Sequence, residues 1–204
     1  MKKLIALILA TLMIFALVAC GDAKTDNTDK DPGKEDAKNE NNNEEVKLEG
    51  VEGPVDILEA VWAKYAEDEM FFAMGGDPAH AVNAAPGEFS LEDKDSLAAL
   101  LVCKDDAVDM VESAASIMHA MVTNNFTGAV YKVKEGKTDA FVTAMKEAIQ
   151  GNQWVCGFPE KLLIAEVTDD YVVVAYGVGD IIEVFKTHLV EAYSFVEPTV
   201  ESIG

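Results

Sequence analysis

Lys161-Leu162-Leu163-Ile164-Ala165-Glu166-Val167-Thr168-Asp169-Asp170-Tyr171-Val172-Val173-Val174-Ala175-Tyr176 reads as two strands folded back on each other. Asp169-Asp170 forms the tight hairpin turn, with one strand over Lys161–Thr168 and the other over Tyr171–Tyr176. Neither strand keeps a polar side, because apolar residues fill both the alternate and the intervening positions. A sheet built from such strands is expected to be covered on both faces.

Working outward, Phe126–Val133 is rich in aromatic and β-branched residues and reads as a third strand. Gly136-Lys137 then leads into a helix over Thr138–Ile149, with Phe141, Val142, Met145, Ala148 and Ile149 on one face. After the hairpin a last helix opens at Asp180, with Glu183 three residues on as an Asp variant of the capping box. Its apolar stripe is Ile182, Phe185 and Leu189.

Upstream, Asp105 to about Val122 carries two adjoining helical stripes. One is Val108, Val111, Ala115, Met118 and Val122, and the other is Met110, Ala114, Ile117 and Met121. That pattern predicts a long, largely buried helix. A first helix starts at Pro54 and runs through Ile57, Leu58, Val61, Trp62 and Tyr65, with Gly75-Gly76-Asp77-Pro78 as its stop. The expected order is ααβαββα, an α+β domain whose small, mostly antiparallel three-stranded sheet is packed by helices. It occupies residues 54–204 as a single domain.

The amino-terminal part is organised differently. Lys2 and Lys3 precede the apolar run Leu4–Ala16, and Leu17-Val18-Ala19-Cys20 supplies the small-residue pattern that comes before a lipid-modified cysteine. At 16 residues, Leu4–Ala19 is short for a membrane span. Residues 1–19 therefore read as a lipoprotein signal peptide, with Cys20 as the lipidation site. Two or three acyl chains on one terminus hold a protein stably on a membrane, whereas one chain alone is marginal.

Residues 20–53 carry few apolar side chains beyond that cysteine and read as a disordered acidic tether. Its reach is roughly 30 Å. Asn27, Asp29 and Asp31 sit at calcium-loop positions, but Pro32 stands where such a loop requires Gly and Lys38 where it requires Glu, so it is not an EF-hand.

All 16 basic residues are lysine, against 37 acidic ones, for a net charge of −21, or −23 once Lys2 and Lys3 leave with the signal. A chain this acidic does not bind nucleic acid through phosphates, nor lie on anionic lipid by charge. The absence of Arg removes the usual bidentate clamp for phosphates and carboxylates. With Cys20 lipidated, Cys103 and Cys156 are left outside the cytoplasm. A Cys103–Cys156 disulfide and two free thiols both fit, and the spacing matches no zinc or thioredoxin pattern.

Met118-His119-Ala120-Met121, Asn125-Phe126-Thr127 and Gln153-Trp154-Val155-Cys156-Gly157-Phe158-Pro159 before a strand hairpin together resemble a group of small Gram-positive surface lipoproteins. These carry a βαββα domain of unknown function, and some bear the automatic label "bacteriocin transport accessory protein". The resemblance covers residues 54–193. It implies that fold and a surface location, and transfers no catalytic residues.

No catalytic residues are assigned. There is no Gly-x-Ser-x-Gly, no Ser-x-x-Lys among the six serines and no His-Glu-x-x-His. Met118, His119 and Met121 suit a soft metal by type, but Met118 and Met121 lie on the apolar stripes and His119, one position off Met118, points sideways, which favours core packing, so no metal and no cofactor is expected. Asn125-Phe126-Thr127 matches a glycosylation sequon and is read as a turn from helix to strand.

The stretch from Ala73 to about Glu92 lacks clear periodicity, and loops of that length within a domain are usually functional or disordered. Asp77, His80 and Asn83 are its candidate contacts. Trp154 and Phe158 form a second candidate pair, as exposed contact aromatics or as caps on the core at the sheet edge. The expected function is a membrane-anchored, extracytoplasmic, non-enzymatic lipoprotein in an accessory role. Its partners are the membrane, through the lipid, and another envelope protein. The alternative is capture of a small molecule or metal by the 75–90 loop.

Overall fold

The computed structural model describes residues 48–121 and 125–203. The signal peptide, Cys20, the rejected calcium loop and most of the tether lie outside the described residues.

The expected small sheet is overturned. Eight strands form one sheet in the order β2-β1-β4-β5-β7-β6-β8, with β3 also paired to β4. The strands are β1 Ala73–Gly75, β2 Val82–Asn83, β3 Gly87–Phe89, β4 Val111–His119, β5 Phe126–Val133, β6 Lys161–Glu166, β7 Tyr171–Gly177 and β8 Thr199–Ser202. Every pairing is antiparallel. Five helices accompany them among the described residues: α1 Pro54–Trp62, α2 Lys94–Leu100, α3 Asp105–Val108, α4 Thr138–Gln150 and α5 Gly179–Ala192.

β7 shows why the sheet is a middle layer. All seven of its residues are buried. Tyr171, Val173 and Ala175 join a core with Ile57, Leu58, Ile182, Phe185 and Leu189, residues of α1 and α5. Val172, Val174 and Tyr176 point the other way, into a core with Leu97, Ala107, Phe141, Met145 and Ile149 from α2, α3 and α4. Alternate side chains of a strand leave on opposite faces, so a strand with no polar side needs a helical layer over each. Burying side chains of this size contributes about 1.5–3 kcal/mol each.

The long helix expected over Asp105–Val122 is the main error. Only Asp105–Val108 is helical, and Val111–His119 is the strand β4. Its residues satisfy either period. Ala115 and Ile117 enter the α1/α5 core, while Ala114 enters the other and Met118 packs against it. A segment apolar all round carries no decisive period, and pairing with β5 from Val111↔Val133 to Met118↔Thr127 makes it a strand.

Other boundaries shift for local reasons. α1 ends at Trp62, well before the expected Gly75-Gly76 stop, and its start is held by Asp56, whose Oδ2 accepts from the Glu52 and Gly53 amides at 2.7 and 2.9 Å. Asp180 does not cap α5, whose N-cap is Val178 without a side-chain bond. The aperiodic stretch after Ala73 contains three short strands, which Gly75 permits: a Cβ there would overlap backbone atoms of Ala85, Pro86 and Gly87.

Candidate functional site

Three connections meet at the end of the sheet where β4 finishes and β5 begins. One follows α1 through Met70 and Phe72 into β1. Its end is tied to the residue after β4, Ala120, whose amide donates to the Phe72 carbonyl at 2.9 Å. The second joins β4 to β5. The third joins α4 to β6 and is held by Asn125, whose Nδ2 donates to the Gly157 carbonyl at 2.6 Å. The Asn125 carbonyl in turn accepts from the Val178 amide at 2.8 Å. Asn125 thus ties the start of β5 to the α4–β6 and β7–α5 connections; the segment before it is the strand β4 and not the helix that a helix-to-strand turn required.

Gly177 allows this close packing. A Cβ on it would overlap the Asn125 carbonyl oxygen and lie 2.8 Å from the Phe126 Cα.

The rim built in this way is apolar. Phe72 is 63% exposed, Phe158 69% and Val155 91%, with Met70 and Met121 about half exposed. Only two other large apolar side chains among the described residues, Val82 and Phe195, are exposed. Single exposed apolar residues are ordinary, and it is their grouping on three connections at one end of the sheet that sets these apart.

The sequence candidates fall into separate places. Trp154 is half-buried against the core, its ring 5.4 Å from that of Tyr176, with an indole N–H that has no hydrogen-bond partner. Phe158, four residues on, is exposed. The pair therefore splits between the two roles considered for it.

Asp77 and His80 are brought together, but as a turn. Asp77 is buried, and its Oδ1 accepts from the amides of Ala79 and His80 at 2.8 and 3.1 Å. Its Oδ2 accepts from the Ser90 amide at 3.2 Å and stands 3.2 Å from His80 Nδ1. Burial pushes the Asp77 carboxyl up, but the Ala79 and Ser90 amides and the His80 imidazole outweigh it and hold it below the usual carboxylate range. Asp77 pins its loop to the residue after β3. His80 and Asn83 are exposed, the latter paired with Met74 across β2 and β1.

Cys103 and Cys156 are both free. Cys103 sits in the core beneath α2 and α3, where burial and the nearby Asp106 push its thiol up to about 12. Cys156 is exposed on the rim connection. Met118 packs into one core while His119 stacks on Phe71 at 5.0 Å, so the methionine and the imidazole do not converge. His119 Nδ1 accepts from the Met121 amide at 3.0 Å, and burial lowers the imidazole's affinity for a proton.

Sequence reasoning missed one cluster. His188 on α5 is buried, with Nδ1 2.9 Å from Glu191 Oε2 and Nε2 3.0 Å from Glu69 Oε2. Its ring lies 4.4 Å from that of Tyr65, whose hydroxyl is buried without a partner. Burial, and then the Glu69 charge, push that phenol well up. The Glu191 contact is legible as an i,i+3 pair on a helix, but the Glu69 contact has no local signal. A carboxylate on each ring nitrogen leaves neither nitrogen free to take a proton from a substrate. The carboxylates also approach from opposite edges of the ring and do not converge on one point. The cluster is a clasp between α5 and the connection after α1.

Comparison with known proteins returned no matching family model, no similar curated protein and no similar solved structure.

Proposed function

We propose that this chain is an extracytoplasmic lipoprotein, anchored by acylated Cys20, whose folded part docks another envelope protein in an accessory, non-enzymatic role. The observation that carries the docking reading is the rim of Met70, Phe72, Met121, Val155 and Phe158 on three adjoining connections. Their burial against a partner supplies the driving force, at about 25 cal/mol per Å² of apolar surface. The anchoring reading rests on Lys2-Lys3, the short apolar run and Cys20. It is compatible with the described helices, none of which is long and apolar enough to cross a membrane.

Leu48 and Val51, where the chain joins the fold, line a cleft with the β6–β7 turn, at the end of the sheet opposite the rim.

The test is crosslinking of the full lipidated protein in its native membrane, followed by identification of what co-purifies. A partner held by the wild type and lost in the Phe72→Ser/Phe158→Ser double variant supports the docking reading. A partner retained by that variant, or no specific partner at saturating crosslinker, defeats it. Cys20→Ser should release the protein from the membrane fraction, and continued membrane association would defeat the anchoring reading.

A further inference from the structure

The clasp on α5 has a proton requirement. His188 is 6% exposed, with a carboxylate oxygen at hydrogen-bond distance from each ring nitrogen, Glu191 on Nδ1 and Glu69 on Nε2. A carboxylate accepts and does not donate, so each contact needs a hydrogen on the ring nitrogen. A neutral imidazole carries one N–H and an imidazolium two. Both contacts therefore hold together only when the ring has its second proton. With one proton, a bare nitrogen faces a carboxylate and that contact turns repulsive. The Ala66 amide first, and then His188, hold the Glu69 carboxyl below its usual range against desolvation, so the extra proton does not sit on Glu69.

The two contacts do different things. Glu191 is three residues on along the same helix, whereas Glu69 joins α5 to the connection after α1. The Glu69 oxygen that meets His188 also accepts from the Ala66 amide at 2.9 Å. The Ala66 carbonyl accepts from the Glu69 and Met70 amides at 3.0 and 3.2 Å, so residues 66–70 form one closed turn that His188 grips. From that turn the chain passes to Phe71, packed on Trp62, Tyr65 and Phe126, and to Phe72 in the rim.

We propose that the Glu69–His188–Glu191 clasp is a proton-operated latch on the connection after α1, closed when His188 is an imidazolium and released at Glu69 when the ring loses a proton. Histidine changes charge between about pH 5 and 8, and the latch is closed on the acid side of the His188 titration and open on the alkaline side. Opening loosens the connection and with it the placement of Met70 and Phe72. Tyr65, its ring 4.4 Å from the imidazole, is the other ionisable group against it. Asp56 and Glu59 of α1, Lys161 and Glu166 of β6 and Tyr171 of β7 belong to elements packed against α5. None of them is paired with His188 among the described residues. His119, stacked on Phe71, is a second imidazole beside the connection, but it is bonded to neither carboxylate. The latch does not depend on the docking reading.

The experiment is amide exchange of the full chain in detergent at a series of pH values spanning that range, corrected for intrinsic rates, with residues 138–150 of α4 as the internal reference. Protection at residues 66–72 relative to α4 should fall about tenfold as pH rises, as the loss of one charge-assisted contact does. Glu69→Gln should abolish the step, because its amide group accepts from a protonated ring nitrogen and donates to a bare one. Glu67→Gln, a charge removed from the same turn, should keep the step. A wild type without the step, a step of equal size in Glu69→Gln, or its loss in Glu67→Gln would overturn the proposal. Nitrogen-15 NMR of the imidazole gives a reading that needs no variant. Both His188 ring nitrogens should carry hydrogens on the acid side of the step, and a neutral ring there defeats the latch.

Discussion

His188 Nε2 lies 3.0 Å from Glu69 Oε2 although the two residues are 119 positions apart. The contact closes the connection after α1 onto α5, and that connection carries Met70 and Phe72 into the apolar rim. Position of the rim and integrity of the clasp are therefore coupled. His188→Ala removes a buried ring bonded at both nitrogens and is expected to cost about 2 kcal/mol, read as a lower urea midpoint at unchanged slope. Amide exchange at residues 66–72 should accelerate in the same variant. Unchanged exchange there would show that the clasp does not hold the connection.

Acid should weaken the fold through its paired carboxylates. Asp77 and Asp93 are both held below their ordinary values, Asp77 chiefly by the Ala79 and Ser90 amides working against burial, and Asp93 by the Ser96 hydroxyl and amide. A carboxyl whose folded pKa is depressed adds stability that is present above its unfolded value, about 3.9 for Asp, and lost as pH falls through the folded value. Urea midpoints should therefore drop below about pH 4. Asp77→Asn should lower stability at neutral pH and flatten that acid limb, and a limb of undiminished slope would exclude Asp77 as a contributor.

The two cysteines should differ in reactivity. Cys156 is exposed, whereas Cys103 is buried with its thiol pushed up to about 12, and only the thiolate attacks. Peptide mapping after brief alkylation of the folded protein should find label on Cys156 and none on Cys103, with both labelled in denaturant. A protected Cys156 in protein taken directly from an oxidising compartment would instead reveal a bond that this arrangement does not contain.

Gly177→Ala tests the junction beneath the rim. The added Cβ would overlap the Asn125 carbonyl oxygen, and the residue's φ of +159° is one that side-chain-bearing residues rarely adopt. Displacing β7 from β5 should cost about 3 kcal/mol in a urea titration. Gly136→Ala, where φ is +69° but the space is open, should cost less. Equal losses would assign the effect to backbone conformation and remove the packing argument.

Much of the central layer was legible. Thr138–Gln150 has a one-sided stripe, Phe126–Val133 is rich in strand formers, and the hairpin around Asp169-Asp170 carries its own turn residues. Each of these signals is local, and each element formed close to the expected bounds. The candidate site was less visible. Phe158 was singled out, Met121 was assigned to the core and is instead about half exposed, and Phe72 and Met70 were not considered, because an exposed apolar side chain and a buried one look alike in a sequence.

What the sequence determined by itself was the charge, the change in texture after the amino-terminal stretch, and an inner sheet without a polar side. Tertiary structure alone decided that Val111–His119 is a strand, that short segments at Ala73, Val82, Gly87 and Thr199 complete the sheet, and that Glu69 meets His188. The physical reason is common to all three. A strand buried on both faces has no period to read, a strand of two to four residues has too few positions to show one, and a long-range contact leaves no mark on either neighbourhood. Their conformations follow from partners distant in the chain, and only the folded molecule brings those partners together.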